Sequence, residues 1–356
     1  MYSLAGLAGR LGVGNIFLKD ESGRFGLNAF KALGASFAVA SIAGHKLHGC
    51  GRGEGVPAFG ELMEGLKSAG LSPLVFVTAT DGNHGRAVAW SARMLGSKAV
   101  VFMPKGAASA RIEAIRREGA EVIVTDSNYD DSVRKASAYA SANGGIIVQD
   151  TSWEGYTEVP DMVMQGYLTI LSEISEQLVA MGERMPSHVI LQAGVGSFAG
   201  SMLAGLECLA KEAMPIALIA EPMNAACYFL SSKKDGGAIA KVSGGLDTIM
   251  AGLACGEPNP RAWAPIMRLA TAFAACSDSI AEEGMRILSR PAEDDPAVIS
   301  GESGAVGAGV ISYLMKEPGL DELRGVLGLD RGSRVLLVST EGDTDPESYR
   351  RIIQGA

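Results

Sequence analysis

The 356-residue sequence is poor in the residues that mark several classes of protein. Aromatic residues make up only 6% of it, and 14 prolines accompany 46 glycines that follow no three-residue period. Collagen needs that period and more proline, and disordered chains are less apolar than the 47% hydrophobic content found here. These features exclude both classes and predict a globular protein. At about 100–200 residues per domain, the length predicts two domains.

Cysteine and histidine are also scarce, with five and four copies. The cysteines stand far apart and are odd in number, which predicts reduced thiols rather than a disulfide framework. A bridge between Cys227 and Cys255 is an open alternative. The segment HKLHGC at 45–50 contains metal-ligating residue types but no indicated fourth ligand, so we expect a polar helix end there and no metal site.

The sequence has fewer basic than acidic residues, and it has few long apolar runs. The net charge is −9, and lysines and arginines form no run longer than a pair, so we expect no nucleic-acid partner. The most apolar long stretch, 199–220, contains three charged residues and falls short of the ~18 apolar residues of a membrane span. The N-terminus has no basic leader typical of a secretory signal. We therefore expect a cytoplasmic protein without membrane association.

Short apolar runs alternate with amphipathic stretches along most of the chain. In 74–126 the runs LVFVTAT, KAVVFMP and EVIVTD predict strands, with helices between them. After a polar loop at 150–160 and a helix at about 161–181, HVILQ and IALIAEP begin a second series that RVLLVST closes. Such runs are typical of parallel strands covered by helices on both faces. The predicted fold class is α/β, with two doubly wound open-sheet domains.

Two glycine-containing motifs lie at predicted strand-to-helix junctions. In AGVGSFAG, 193–200, backbone N–H groups converge at a helix N-terminus, which favours phosphate, although a tight turn is an equally good interpretation. The motif TATDGNHGRA, 78–87, gathers four polar side chains where a doubly wound sheet binds ligands. There Asp81 or Asn83 is either a ligand contact or the N-cap of the next helix.

A third motif, RFGLNAFKALGAS at 24–36, places Lys31 among apolar residues. Desolvation lowers the pKa of such an amine, as imine formation requires. Taken alone, Lys31 is also compatible with an ordinary surface lysine. The three motifs together favour the chemical interpretation.

In content and order, these motifs resemble the fold type II pyridoxal phosphate enzymes, which include threonine dehydratase, serine racemase and tryptophan synthase β. The segments ESGRFGLNAFKALG, ATDGNHGRAVAW, QDTSWEGYTEVPDMVMQGY, AGVGSFAG and STEGDTDP are similar, more narrowly, to the diaminopropionate ammonia-lyases. The resemblance covers nearly the whole chain. Asp81 stands where other members of the fold type usually carry Ser or Thr. The implied fold is tryptophan synthase β-like.

The resemblance also implies roles for individual residues. Lys31 would form the imine with pyridoxal 5'-phosphate, and Asn83 would contact the phenolic oxygen of its ring. Ser339 or Thr340 would face the pyridine nitrogen. Glu302 would line the pocket, although a carboxylate favoured by a helix N-terminus is an equally good interpretation. The phosphate would be cradled by Gly194, Val195, Gly196, Ser197 and Phe198.

The activity implied by the resemblance is that of a carbon–nitrogen lyase. It would eliminate ammonia from D- or L-2,3-diaminopropionate and give pyruvate and ammonia. Lys31 would take the Cα proton of the L-isomer, and Asp81, on the other face, that of the D-isomer. Asp81, Asp150 and Glu154 are the candidate carboxylates for the β-ammonium group, although Asp150 is also compatible with a loop residue bonding its own backbone.

The sequence is also compatible with other functions. A serine or threonine dehydratase of the same family is the nearest alternative, and a non-catalytic binding protein is another. A nicotinamide oxidoreductase would use AGVGSFAG for its dinucleotide and Glu221 as the acid about 20 residues beyond. The resemblance implies a homodimer acting on a small amino acid. It predicts a large cofactor-binding domain of 1–73 plus 156–356 and a small mobile domain of 74–155.

Overall fold

The computed structural model describes residues 1–48, 57–80, 82–210 and 214–355. Its strands are β1 (Tyr2–Ser3), β2 (Asn15–Asp20), β3 (Val75–Ala79), β4 (Lys98–Met103), β5 (Glu121–Val124), β6 (Ile146–Ile147), β7 (His188–Gln192), β8 (Ile216–Pro222), β9 (Ala272–Cys276) and β10 (Arg334–Ser339). Its α-helices are α1 (Ala5–Leu11), α2 (Lys31–His48), α3 (Phe59–Ser68), α4 (Asn83–Met94), α5 (Ser109–Arg117), α6 (Tyr129–Asn143), α7 (Glu158–Ala180), α8 (Ser197–Leu209), α9 (Cys227–Ser232), α10 (Pro260–Leu269), α11 (Asp278–Ser289), α12 (Glu302–Lys316), α13 (Asp321–Val326) and α14 (Pro346–Gln354).

The chain divides into two compact units. The first unit comprises Met1–Phe30 and Leu168–Ala356, and the second comprises Lys31–Tyr167. Residues 31–73 and 156–167 thus group with the second unit, whereas the sequence-based division assigned them to the large domain. Helix α2 packs on α4 within the second unit, which explains part of this grouping. Mobility of a small domain stays a prediction.

The first unit contains a six-stranded sheet in the order β1-β2-β10-β7-β8-β9. The short β1 pairs antiparallel with β2, and every other neighbouring pair is parallel. Strands β7 and β10 are neighbours, so the residues that follow their carboxyl ends lie close together. This adjacency brings the segment after Gln192 beside the segment after Ser339.

The second unit contains a four-stranded parallel sheet in the order β5-β4-β3-β6. Strands β3, β4 and β5 match the apolar runs at 74–80, 98–104 and 121–126 within one or two residues, whereas β6 was not predicted. Each of three helices is followed by a glycine with a positive φ, as expected of a left-handed residue that ends a helix: Gly96, Gly119 and Gly144. The carboxyl ends of β3 and β6 are adjacent, which places the residues after Ala79 near those after Ile147.

The core of the first unit lies between its sheet and the buried helix α12. Side chains from β2 and β10, including Ile16, Leu18, Val335 and Leu337, pack in one cluster with Val306 of that helix. Helix α12 also lies tightly against α11. A Cβ on Gly309 of α12 would come within 1.8 Å of the Ile280 carbonyl oxygen, so this helix contact requires glycine.

Among the helices of the described ranges, none has the length and apolarity to cross a membrane. Within those ranges, no cluster of His, Cys, Asp and Glu has a metal-binding arrangement. Cys50, part of the HKLHGC segment, lies outside them. Cys208, Cys227 and Cys276 are reduced thiols, so the Cys227–Cys255 bridge is not formed.

Candidate active site

A buried ion pair joins the first residue of α2 to the loop after β6. The Lys31 ammonium donates a hydrogen bond to an Asp150 carboxylate oxygen, and Asp150 is only 1% exposed. Burial alone would raise the pKa of Asp150, but the charge of Lys31 and the hydrogen bonds from Lys31 and Tyr129 hold the pKa at about 2. Asp150 is therefore a carboxylate that binds an ammonium group away from water.

Gln149 connects Asp150 to the end of β3. Its amide oxygen accepts hydrogen bonds from the Thr78 hydroxyl at 2.9 Å and the Ala79 N–H at 3.0 Å. Its amide nitrogen donates to the Tyr129 hydroxyl at 2.8 Å, and that hydroxyl donates to Asp150 at 3.3 Å. The network thus orients the Asp150 carboxylate through its Oδ1, whereas Lys31 donates to Oδ2. Neither Gln149 nor Tyr129 was singled out by the sequence, because their contacts depend on the pairing of β3 with β6.

The motif after β3 leads directly into α4. Asn83 is the first residue of this helix. The N-cap residue is Gly82, and no side chain at that position caps the helix with a hydrogen bond. The N-cap alternative for Asn83 is therefore wrong, because Asn83 is already inside the helix. Asp81 lies outside the described residues.

His84 is a buried member of this motif that the sequence did not assign a role. Its Nε2 lies 2.9 Å from the Val148 carbonyl oxygen, which can only accept, so Nε2 carries the hydrogen. Burial lowers the pKa of His84, so the ring is neutral near pH 7. Its Nδ1 is buried and has no hydrogen-bond partner among the residues that the structure describes. The ring therefore offers one acceptor nitrogen.

The loop AGVGSFAG occupies the turn between β7 and α8 in the first unit. Gly196 has φ +89°, a left-handed conformation that favours glycine. A Cβ there would lie 2.0 Å from the Tyr228 hydroxyl oxygen. The first N–H groups of α8 have no acceptor within the helix, and they sit at its partially positive end. Gly194, Val195, Gly196, Ser197 and Phe198 thus form a compact turn suited to an anion.

The residues at the end of β10 lie beside this loop. The Ser339 hydroxyl donates to the Ser300 hydroxyl oxygen at 2.8 Å. The Thr340 hydroxyl oxygen accepts from the Gln192 amide at 2.9 Å, which leaves its own hydrogen directed elsewhere. The Thr340 carbonyl accepts from the Phe30 N–H at 3.0 Å. Of the two predicted hydroxyls, Thr340 is thus the better donor to a ligand.

Two buried acids flank the start of α12. Glu302 is its first residue, where the helix dipole favours a carboxylate. Glu341, which the sequence did not single out, accepts from the Ser303 N–H at 3.1 Å through its side chain. Its carbonyl accepts from the Gly301 N–H at 2.9 Å. Glu154, the third candidate carboxylate for the β-ammonium, has an exposed side chain.

Glu221 ends β8 and is fully buried. Its two carboxylate oxygens accept from the N–H groups of Tyr228 at 2.8 Å and Phe229 at 2.7 Å. A dinucleotide ribose would need those oxygens, so the nicotinamide alternative loses its acidic residue. Burial raises the pKa of Glu221 to about 8. The carboxyl group therefore serves the protein backbone.

The candidate residues fall into two groups. Lys31, Asn83, His84 and Asp150 belong to the second unit. The first unit contains the anion loop, Gly194–Phe198, together with Glu302, Ser339 and Thr340.

Comparison with known proteins agrees with these features. Residues 1–338 match the family model described as pyridoxal-phosphate dependent enzyme. Diaminopropionate ammonia-lyase of Escherichia coli K12 is 47% identical over 351 residues, which cover 99% of this chain and 86% of that protein. The chain belongs to the diaminopropionate ammonia-lyase family of pyridoxal-phosphate-dependent enzymes. The Salmonella typhimurium LT2 protein of the same name is also 47% identical, with coverage of 99% and 87%.

Solved structures of the diaminopropionate ammonia-lyase family share this fold. The E. coli enzyme in complex with D-serine matches with a TM-score of 0.92 and 46% identity, covering 100% of this chain and 87% of that chain. The same enzyme in complex with an aminoacrylate-PLP azomethine reaction intermediate matches with a TM-score of 0.88 and 44% identity, covering 99% and 86%. The predicted fold type II architecture is confirmed.

Proposed function

We propose that this chain is a pyridoxal 5'-phosphate-dependent ammonia-lyase that converts 2,3-diaminopropionate to pyruvate and ammonia. The observation that carries the proposal is the buried Lys31–Asp150 pair. It combines the amine that an imine-forming cofactor needs with a carboxylate that already binds an ammonium group. The substrate differs from serine in having a β-ammonium in place of a hydroxyl, and Asp150 offers that group a partner.

The residues present fit the cofactor. Lys31 supplies a primary amine, and the anion loop supplies a turn in which a Cβ on Gly196 has no room. Pyridoxal phosphate would be held by Lys31, by Asn83 at its phenolic oxygen and by residues 194–198 at its phosphate. Thr340 or Ser339 would donate to the pyridine nitrogen, and Glu302 would line the pocket. When bound, the cofactor withdraws electrons from the substrate Cα and makes its proton acidic.

The chain's own residues then handle protons and charge. Once its amine is released, Lys31 takes the Cα proton of the L-isomer as a general base, while Asp81 takes that of the D-isomer from the other face. Asp150 binds the β-ammonium, which leaves as ammonia when the Cα electrons form the carbon–carbon double bond. Hydrolysis of the released aminoacrylate gives pyruvate and a second ammonia. Two bases in one site would allow turnover of both isomers.

A comparison of substrates tests the proposal. Purified holoenzyme is supplied with D- and L-diaminopropionate, serine and threonine, and the release of pyruvate or 2-oxobutyrate is measured. We expect both diaminopropionate isomers to have kcat/KM values at least about a hundredfold above those of serine and threonine, because only they use the Asp150 contact. Higher values for serine or threonine would establish the dehydratase instead. A protein without an absorption band from the cofactor would support the non-catalytic alternative.

We also infer the setting in which the enzyme works. The resemblance to this family supports a homodimer in the cytoplasm, with residues 74–155 moving as a small domain. Light scattering across protein concentrations tests the dimer, and a single monomeric mass would contradict it. Hydrogen exchange with and without substrate tests this motion. If residues 74–155 move, the changes in amide protection should be concentrated in them.

A further inference from the structure

Tyr228, in α9, lies against the anion loop. The side chain is fully buried, and its hydroxyl donates to the Val195 carbonyl oxygen at 2.7 Å. The N–H of Asn259 donates to the same oxygen at 2.9 Å. Both donors approach one carbonyl, so its direction is fixed from two sides.

Both ends of Tyr228 are themselves held in place. The Glu221 carboxylate accepts from its backbone N–H at 2.8 Å, while the hydroxyl at the far end of the ring reaches Val195. The ring packs against Trp263 with centroids 5.6 Å apart. Glu221, at the end of β8, thereby connects the sheet to the loop through Tyr228.

The direction of the Val195 carbonyl determines that of the next amide. In a planar trans peptide, the carbonyl oxygen and the following N–H point to opposite sides. Because the Val195 oxygen points at Tyr228, the Gly196 N–H points away from it. The left-handed φ of Gly196 then carries the chain into the first turn of α8. A second contact, from the Asn259 amide to the Ser197 hydroxyl at 2.8 Å, holds that turn.

We propose that Tyr228 is a positioning residue for the cofactor phosphate, with Glu221 holding Tyr228 in place. The hydroxyl fixes the Val195–Gly196 peptide so that the Gly196 N–H faces the phosphate. This inference rests on the proposed function, because it assigns the loop to the phosphate of pyridoxal phosphate. Tyr228 itself touches the loop and takes no part in the chemistry.

The test compares two ligands that differ only in the phosphate. Apoenzyme is titrated with pyridoxal 5'-phosphate and with pyridoxal, for the wild type, Tyr228→Phe and the control Tyr313→Phe, whose tyrosine is exposed on α12. Loss of one hydrogen bond should raise the Kd for pyridoxal phosphate about five- to tenfold in Tyr228→Phe, and that for pyridoxal less than about twofold. The phosphorus NMR signal of bound cofactor should shift only in Tyr228→Phe.

The other outcomes distinguish failure of the Tyr228 role from failure of the proposed function. If Tyr228→Phe weakens the binding of both ligands equally, or leaves the Kd and the phosphorus signal unchanged, the proposed role of Tyr228 is overturned. Wild-type protein that takes up no pyridoxal phosphate would overturn the proposed function itself. If Tyr228→Phe does not fold, Glu221→Gln decides, because it keeps the side-chain shape and weakens one of the two backbone contacts. Glu221→Gln should also weaken the binding of pyridoxal phosphate more than that of pyridoxal.

Discussion

The ammonium of Lys31 is hydrogen-bonded to the carboxylate of Asp150, although 119 positions separate the two residues in the chain. Tyr129 and Gln149 hold the same carboxylate from the other side. The pair joins the amine proposed to bind the cofactor to the carboxylate proposed to bind the substrate. In the proposed mechanism, the same buried carboxylate pairs with Lys31 in the free enzyme and with the β-ammonium group during turnover.

Replacement of Lys31 tests the cofactor assignment. Lys31→Ala removes the amine proposed to form the imine, so the variant should lose the visible absorption band of the holoenzyme and its turnover. Lys46→Ala, on the exposed side of the same helix, is the control and should keep both. Absorption spectra and pyruvate release report the result. An active, yellow Lys31→Ala enzyme would disprove the assignment.

Replacement of Asp150 tests substrate recognition. Asp150→Asn keeps the shape but removes the charge, so kcat/KM for diaminopropionate should fall by about a hundredfold or more. Serine lacks the β-ammonium, so the Kd measured for its binding to this protein should change far less. Asp131→Asn, which removes an exposed ion pair with Arg134, is the matched control. Equal changes for the two ligands would contradict a β-ammonium contact.

Replacement of Asp81 tests the two-base scheme. Asp81→Asn cannot accept a proton, so turnover of D-diaminopropionate should fall by about 10²–10⁴-fold, the usual contribution of a general base. In the two-base scheme the L-isomer uses Lys31 as its base, so its turnover should be affected much less. Initial rates of pyruvate release from each isomer measure the difference. Losses of the same size for both isomers would rule out separate bases.

An ion network before Lys31 predicts a stability effect. Arg24 contacts the buried Glu21 and also Glu173, while Lys19 contacts both acids. Arg24→Met would leave Glu21 with half its partners and should lower the free energy of unfolding by about 2 kcal/mol or more. The control Arg134→Met removes an exposed pair and should cost less than about 1 kcal/mol. Urea denaturation of both variants measures the difference, and equal costs would contradict the network.

Glu221 predicts a pH dependence of stability. Burial raises its folded pKa to about 8 from an ordinary value of 4.5, so between these pH values the folded protein keeps a proton that the unfolded chain releases. This contribution to stability is complete below about pH 4.5 and is lost as the pH rises through 8. Urea denaturation from pH 5 to 8 should therefore show a smaller loss of stability in Glu221→Gln than in the wild type. The exposed Glu317→Gln should follow the wild type, and parallel curves for Glu221→Gln would contradict the shift.

Local sequence predicted strands β3, β4, β5, β7, β8 and β10 and the positions of the motifs. The run from Leu74 to Thr80 predicted β3 closely, and the glycine loop after HVILQ lies between β7 and α8 as expected. These features are local: apolar β-branched runs form buried strands, and glycine permits the turns that follow them. Residue patterns made Lys31 and the loop candidates, and the resemblance to fold type II enzymes then gave them roles and added Asp150.

The tertiary structure decided which candidates meet and what holds them. Gln149 reaches Tyr129, Thr78 and Asp150 because β6 pairs with β3, and no local pattern specifies that pairing. Glu221 resembled a ribose-binding acid in the sequence, yet its oxygens bind the amides that place Tyr228 against Val195. Burial and strand order, which depend on the whole fold, gave these polar groups their partners and shifted their pKa values.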